Sequence, residues 1–126
     1  MYRPFLIAAA VFGALAVATG AFGAHALKTM VSDTALVTFE TGVRYQFYHV
    51  IALLAAGILY GSFPVKKMIW AGRLFIAGII LFSGSLYLLT ILPEGYKWVG
   101  AITPLGGICF IIGWVLIALS VNNQKN

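Results

Sequence analysis

The chain has 126 residues, of which 62% are hydrophobic and 9% are charged, and its net charge is +5. Ordinary globular chains are about 45–50% apolar and about 25% charged. Eight basic and three acidic side chains are too few to keep the surface of a soluble domain in water, so the composition indicates a membrane protein. The basic residues form no cluster interleaved with aromatic side chains, which argues against nucleic acid as a partner.

Four apolar stretches are long enough to cross a hydrocarbon layer of ~30 Å as helices. They predict spans at about residues 4–26, 44–62, 69–92 and 98–121 in a single transmembrane domain, 1–126. Short connections containing Gly and Pro, GSFPVKK (61–67) and PEGYK (93–97), make the last three spans antiparallel neighbours. The predicted fold is therefore all-α, an integral membrane four-helix bundle.

The second span is predicted to begin outside the bilayer. Ser32 is a suitable N-cap, Asp33 follows in the first turn, and apolar residues then recur at helical spacing into the span. Glu40 and Arg44 are four residues apart in the favourable order for an ion pair, which would support this protruding helix modestly.

The distribution of Lys and Arg predicts the orientation. One side of the predicted bundle carries five of them, Arg3, Lys66, Lys67, Arg73 and Lys125; the other carries three, Lys28, Arg44 and Lys97. The excess predicts that both termini are cytoplasmic and that the basic face contacts anionic membrane lipid. The expected location is the cell membrane, which in a bacterium is the inner membrane.

The segment GAFGAHALK (20–28) contains Ala24-His25-Ala26, which has the small residues of a signal-peptidase site. Signal peptides have an apolar region of about 7–15 residues. Here the uncharged run from Pro4 to Ala24 has 21 residues. We therefore expect the first span to be retained.

Small residues are frequent in all four spans, and in a bilayer they allow helices to approach closely. The glycines predicted to pack helices are Gly13, Gly20, Gly23, Gly57, Gly84, Gly106, Gly107 and Gly113. The alternative is that some of these glycines line a substrate path.

Polar residues from every span are predicted to converge at one depth near the outer surface. The candidate cluster consists of His25, Glu40, Arg44, Tyr45, Gln46, His49, Ser85, Tyr87 and Thr103. Unpaired polar groups are costly in hydrocarbon, so these side chains should face one another, either as an interhelical hydrogen-bond network or as a small binding site open to the outside.

No catalytic motif is present, and neither a metal nor another cofactor is expected. The two histidines are 24 positions apart, so a metal site made of His25, Glu40 and His49 is only a weak alternative. The single cysteine, Cys109, has no disulfide partner and is interpreted as a small buried apolar residue.

Several motifs in order carry a family resemblance. They are GAFGAHALK (20–28), YQFYH (45–49), FSGSLY (82–87), ITPLGG (102–107) and GW (113–114). Together they resemble the small bacterial membrane family catalogued as domain of unknown function 423, and they are similar to a small eukaryotic transmembrane protein group. The resemblance implies four spans and an integral membrane location, and it implies no reaction.

Three functions are compatible with these features. The favoured one is a non-enzymatic helix bundle that interacts with a membrane protein partner, with lipid or with further copies of itself, because packing residues are abundant and reactive residues are scarce. The alternative is an oligomeric transporter or channel for a small molecule or ion, with Tyr45, His49 and Tyr87 as its pathway. A metal site or enzyme at the outer leaflet is a third possibility.

Overall fold

A computed structural model describes residues 1–122, so Lys125, which was counted in the predicted orientation, lies outside the described residues. Four long apolar helical segments are present: the first span is Arg3–Ala24, the second Asp33–Leu59, the third Lys66–Ile91 and the fourth Thr103–Asn122. The described residues contain no strand. The prediction of an all-α four-helix membrane bundle is confirmed.

The ends of the helices differ in detail from the predicted spans. The first span ends at Ala24, and a short 3₁₀ turn, Leu27–Thr29, leads to the second. A 3₁₀ segment, Glu94–Ala101, precedes the fourth span, so the predicted limit at residue 98 falls within this segment. The start of the fourth α-helix at Thr103 places Pro104 in its first turn, where the missing N–H of proline costs no hydrogen bond.

The second span begins as predicted. The Ser32 side chain accepts a hydrogen bond from the N–H of Ala35 at 3.2 Å, and Asp33 lies in the first turn. The predicted ion pair between Glu40 and Arg44 is wrong, because among residues 1–122 the ion pair that forms is the exposed Lys97–Glu94 contact at 3.4 Å.

The third span contains a π-helical turn, Ile79–Ser83, between the α-helical parts Lys66–Gly78 and Gly84–Ile91. Such a turn adds one residue to a helical turn and so rotates the faces of the two parts relative to each other. Ser83, at the end of the turn, donates its hydroxyl to the carbonyl of Gly42 at 2.6 Å. The irregular turn is therefore anchored to the second span.

The second span is the centre of the bundle. It packs against the first span on one side and against the third on the other, while the fourth span packs mainly along the third. The N–H of Tyr2 donates to the carbonyl of Gly57 at 2.8 Å, so the chain begins beside the end of the second span. The fourth span runs antiparallel to the third, with Gly106 against Phe82 and Gly113 against Phe75. Both described ends of the chain consequently lie at one end of the bundle.

The apolar core is concentrated towards that end. It contains three phenylalanine rings, Phe5, Phe75 and Phe110, and the buried Met68. Small residues of the second span, including Ala52 and Ala56, allow these large side chains to enter. The remaining surface of the first and fourth spans is largely exposed and apolar, as expected of helices that face lipid.

Most of the predicted packing glycines lie against a neighbouring span. A Cβ on Gly106 would overlap the backbone of Phe82, and a Cβ on Gly57 would lie 2.8 Å from Leu6. The other four close contacts of predicted glycines are Gly13 with Val50, Gly20 with Val43, Gly23 with Phe39, and Gly113 with Phe75.

Two of the predicted packing glycines behave differently. A Cβ on Gly84 would meet no atom within 4 Å, so the prediction that Gly84 packs against a helix is wrong. Gly107 has only an ordinary contact, 3.9 Å to the ring of Phe82. Conversely, Gly42 lies under the ring of Tyr87 and Gly72 under the ring of Phe5, and neither was in the predicted set.

Candidate functional site

The predicted polar residues do not form one cluster. The first separate contact joins three spans: the Tyr87 hydroxyl donates to Oε1 of Gln46 at 2.6 Å, and Nε2 of Gln46 donates to the carbonyl of Phe12 at 2.8 Å. Gln46 is buried, and both ends of its amide are thereby satisfied. This contact ties the third span to the second and the second to the first.

A second contact joins the third and fourth spans in the half of the bundle opposite the described chain ends. The hydroxyls of Ser85 and Thr103 are hydrogen-bonded to each other, and Ser85 also donates to the carbonyl of Phe82 at 2.9 Å. Among residues 1–122, every buried side-chain nitrogen or oxygen has a hydrogen-bond partner. These buried contacts can therefore be understood as links between helices without any ligand.

A third contact places His49 against the fourth span. Its Nδ1 lies 2.7 Å from the carbonyl of Tyr45, and the indole N–H of Trp114 donates to its Nε2 at 3.1 Å. A carbonyl accepts and an indole N–H donates, so the neutral imidazole with its proton on Nδ1 satisfies both contacts. With both ring nitrogens engaged, His49 has no lone pair left for a metal ion.

Aromatic rings hold the imidazole in place. The ring of His49 stacks on Phe110 with a centroid distance of 3.4 Å and an interplanar angle of 6°. Two further rings flank the imidazole of His49. The ring centroid of Phe75 lies 5.8 Å away, and the ring of Tyr45 is nearly parallel to the imidazole at 6.2 Å. The imidazole is thus a fixed part of an aromatic wall.

This wall borders a groove of about 520 Å³ between the second and fourth spans. We call it the aromatic groove; its lining residues are Tyr45, Tyr48, His49, Phe82, Gly107, Phe110, Ile111 and Trp114. Three of them are about half exposed or more, with exposed fractions of 51% for Tyr48, 48% for Trp114 and 65% for Ile111. The groove is therefore open to the side, where the acyl chains of a bilayer would lie.

The predicted charged residues lie elsewhere. Glu40 and Arg44 border a smaller groove of about 290 Å³ between the first and second spans. We call it the charged groove; its lining residues are Gly20, Gly23, Phe39, Glu40, Val43 and Arg44. His25 is exposed at the end of the first span. The structure accordingly keeps these residues apart from the contacts of Gln46 and His49.

The residues of the alternative metal site and of the alternative transport pathway are not brought together either. His25, Glu40 and His49 do not meet, and residues 1–122 contain no group of three potential metal ligands. Tyr87 is bonded to Gln46, whereas His49 and Tyr45 belong to the aromatic groove, so the residues proposed for a transport pathway do not share one.

The main residue missing from the predicted set is Trp114. A signal for it exists in the sequence, because an indole N–H in an apolar span needs an acceptor, and the neutral imidazole of His49 can supply one. Phe110 precedes Trp114 by one helical turn and so presents its ring on the same face of the fourth span. The rotation of the spans relative to one another was not readable from the sequence.

A sequence profile described as "Protein of unknown function (DUF423)" matches residues 19–107. The chain belongs to this family. It is 46% identical over 116 residues to a UPF0382 membrane protein of Staphylococcus aureus, covering 92% of this chain and 93% of the relative. It is 43% identical over 119 residues to the UPF0382 membrane protein YwdK of Bacillus subtilis, covering 94% and 95%. No solved structure matches the chain.

Proposed function

We propose that this protein is a non-enzymatic component of the cell membrane that binds a lipid-soluble molecule in the aromatic groove. The observation that carries the proposal is the groove itself, which is about 520 Å³ in volume, lined by aromatic rings and open to the side. Ligand sites commonly measure about 300–1,000 Å³ and are mostly apolar with few polar groups.

The polar side chains that line the aromatic groove favour ligand binding over catalysis. His49 is the one imidazole on its wall, and both of its ring nitrogens already have partners. In residues 1–122, the hydroxyls of Tyr45 and Tyr48 make no hydrogen bond, so they are available as donors to a polar atom of a ligand. A mainly apolar molecule with an oxygen acceptor suits this arrangement.

Filling the groove tests the proposal. In Gly107→Leu, the new side chain would enter the aromatic groove without meeting the backbone of another span, since the nearest atom to its Cβ is 3.9 Å away. Gly84→Leu is the matched control, because Gly84 also has open space but lies outside this groove. Native mass spectrometry from nanodiscs made with bacterial membrane lipid should show, on the unmodified protein and on Gly84→Leu, a bound molecule that Gly107→Leu lacks.

Two results would contradict the proposal. One is the absence of any bound molecule on the unmodified protein. The other is that Gly107→Leu keeps every bound molecule that the unmodified protein keeps, which would place all of them outside the aromatic groove. The same spectra report the number of copies, and so test the further proposal that the exposed apolar faces associate with a second copy of the chain.

We also propose that both termini face the cytoplasm, in the inner membrane where the cell has two membranes. Arg3, Lys66 and Lys67 lie at the end of the bundle where the described chain begins and ends, which supports this orientation. In a Cys109→Ala background, Thr34→Cys should react with an impermeant maleimide in intact cells stripped of their wall. Lys66→Cys should react only after permeabilisation; the reverse result would invert the orientation.

A further inference from the structure

The charged groove carries two opposite charges that do not neutralise each other. Glu40 and Arg44 are exposed, are one helical turn apart on the second span and form no ion pair within residues 1–122. Residues at this spacing have Cβ atoms about 5–6 Å apart. Both side chains are therefore available to one ligand that carries a negative and a positive group at a similar separation.

The first span lines this groove with two glycines, which have no side chains to fill it. Gly20 faces Val43 and Gly23 faces the ring of Phe39, so each glycine leaves backbone where a side chain would otherwise project. A Cβ on Gly23 would lie 3.0 Å from Phe39, which is tighter than ordinary packing. Larger residues at these positions would push the spans apart or narrow the groove.

The two charges also have a defined order in depth. Gly20 lies one turn before Ala24, where the first span ends, so the groove is near the boundary of the apolar layer. The second span runs inward from Asp33, and Arg44 is therefore about 6 Å nearer to the middle of the bilayer than Glu40. The positive charge is the deeper one and the negative charge is the outer one.

We propose that the charged groove binds the headgroup of a phospholipid that carries a primary amine, such as phosphatidylethanolamine. In such a lipid the phosphate is attached to the glycerol, nearer to the acyl chains, and the ammonium lies at the far end of the headgroup. The phosphate then contacts the guanidinium of Arg44, and the ammonium donates hydrogen bonds to the carboxylate of Glu40.

Other common headgroups satisfy only one of the two residues. An anionic glycerol headgroup offers a phosphate to Arg44 but no cation to Glu40. A choline headgroup has the correct charges, but its quaternary ammonium has no N–H to donate to Glu40. The groove should therefore prefer the ethanolamine lipid over both of these.

Lipid retention in nanodiscs containing equal amounts of ethanolamine, choline and glycerol phospholipids tests the inference. Native mass spectrometry should show that the unmodified protein keeps the ethanolamine lipid about fivefold over the choline lipid, as expected for one exposed charge-assisted contact. Glu40→Gln should reduce this ratio to about that of the bulk lipid, and Arg44→Gln should lower the retention of all three lipids.

Glu94→Gln is the matched control, because Glu94 is another exposed acid towards the same end of the bundle but lies outside the groove. Its lipid ratio should equal that of the unmodified protein. Absence of a preference in the unmodified protein would overturn the inference, as would equal losses in Glu40→Gln and Glu94→Gln. A preference for the glycerol lipid would also overturn it. The inference is independent of the aromatic groove, so Gly107→Leu should leave the lipid ratio unchanged.

Discussion

The indole N–H of Trp114 donates to Nε2 of His49 across 3.1 Å, and this bond joins residues 65 positions apart in the chain. Each side chain meets a requirement of the other, because in hydrocarbon an indole N–H and an imidazole nitrogen are both costly when unpaired. The bond also fixes which ring nitrogen of His49 carries the proton. It thereby connects the packing of the fourth span to the shape of the aromatic groove.

Removing this bond should weaken the bundle. Trp114→Phe keeps an aromatic ring but leaves Nε2 of His49 without its donor, so we expect a loss of about 0.6–2 kcal/mol in the free energy of unfolding. Reversible unfolding in mixed micelles with increasing denaturing detergent measures the loss. Trp98→Phe is the control, because Trp98 is 65% exposed and precedes the fourth span. Equal stabilities of the two variants would show that the indole bond contributes nothing.

The contact between Tyr87 and Gln46 should be energetically coupled. Tyr87→Phe removes the donor and Gln46→Leu removes the acceptor, so the double variant should lose less than the sum of the single losses. We expect a coupling of about 0.6–1.7 kcal/mol, between the average and the largest values found by double-mutant cycles for hydrogen bonds between membrane helices. The same unfolding assay gives all four values. The control is a second cycle that combines Tyr96→Phe with Gln46→Leu. Tyr96 is exposed, so the losses of these two substitutions should be additive.

Replacing Gly106 and replacing Gly84 by alanine should have different effects on the free energy of unfolding. Gly106→Ala would force a methyl group against the backbone of Phe82, so the third and fourth spans must separate. We expect a loss of about 1–3 kcal/mol, as for other overpacked sites. Gly84→Ala meets no atom within 4 Å and should be neutral or slightly stabilising, because alanine favours helix. A destabilised Gly84→Ala would indicate that a partner covers this surface.

The fold could be predicted because length and composition suffice for it. Four apolar runs of membrane-spanning length, separated by connections with Gly and Pro, allow few arrangements other than an up-and-down bundle. The N-cap at Ser32 was also predictable, since its side-chain contact is local in the chain. The π-helical turn Ile79–Ser83 was not, because nothing in the local sequence distinguishes it from a regular turn.

The grouping of the polar residues could not be predicted in the same way. Counting residues inward from a boundary gives depth but not rotation, and rotation decides which neighbour a side chain meets. Gln46 and His49 are three residues apart on the second span, yet one contacts the first and third spans and the other contacts the fourth. The open surface at Gly84 has the same cause, since the sequence shows that a residue is small but not whether a helix lies opposite.

The anchoring of the π-helical turn gives a final prediction. Ser83→Ala removes the hydrogen bond to the carbonyl of Gly42 on the second span, so it should cost about 0.6–1.7 kcal/mol in the free energy of unfolding. Ser120→Ala is a close control: Ser120 is equally buried, but its hydroxyl donates to Leu116 in its own helix. The control should lose little, because an alanine leaves the helical hydrogen bonds of the fourth span intact. If both variants lost the same amount, the contact between the spans would contribute no more than a bond within one helix, and the π-helical turn would have to be held by apolar packing and by the helical bonds on either side of it.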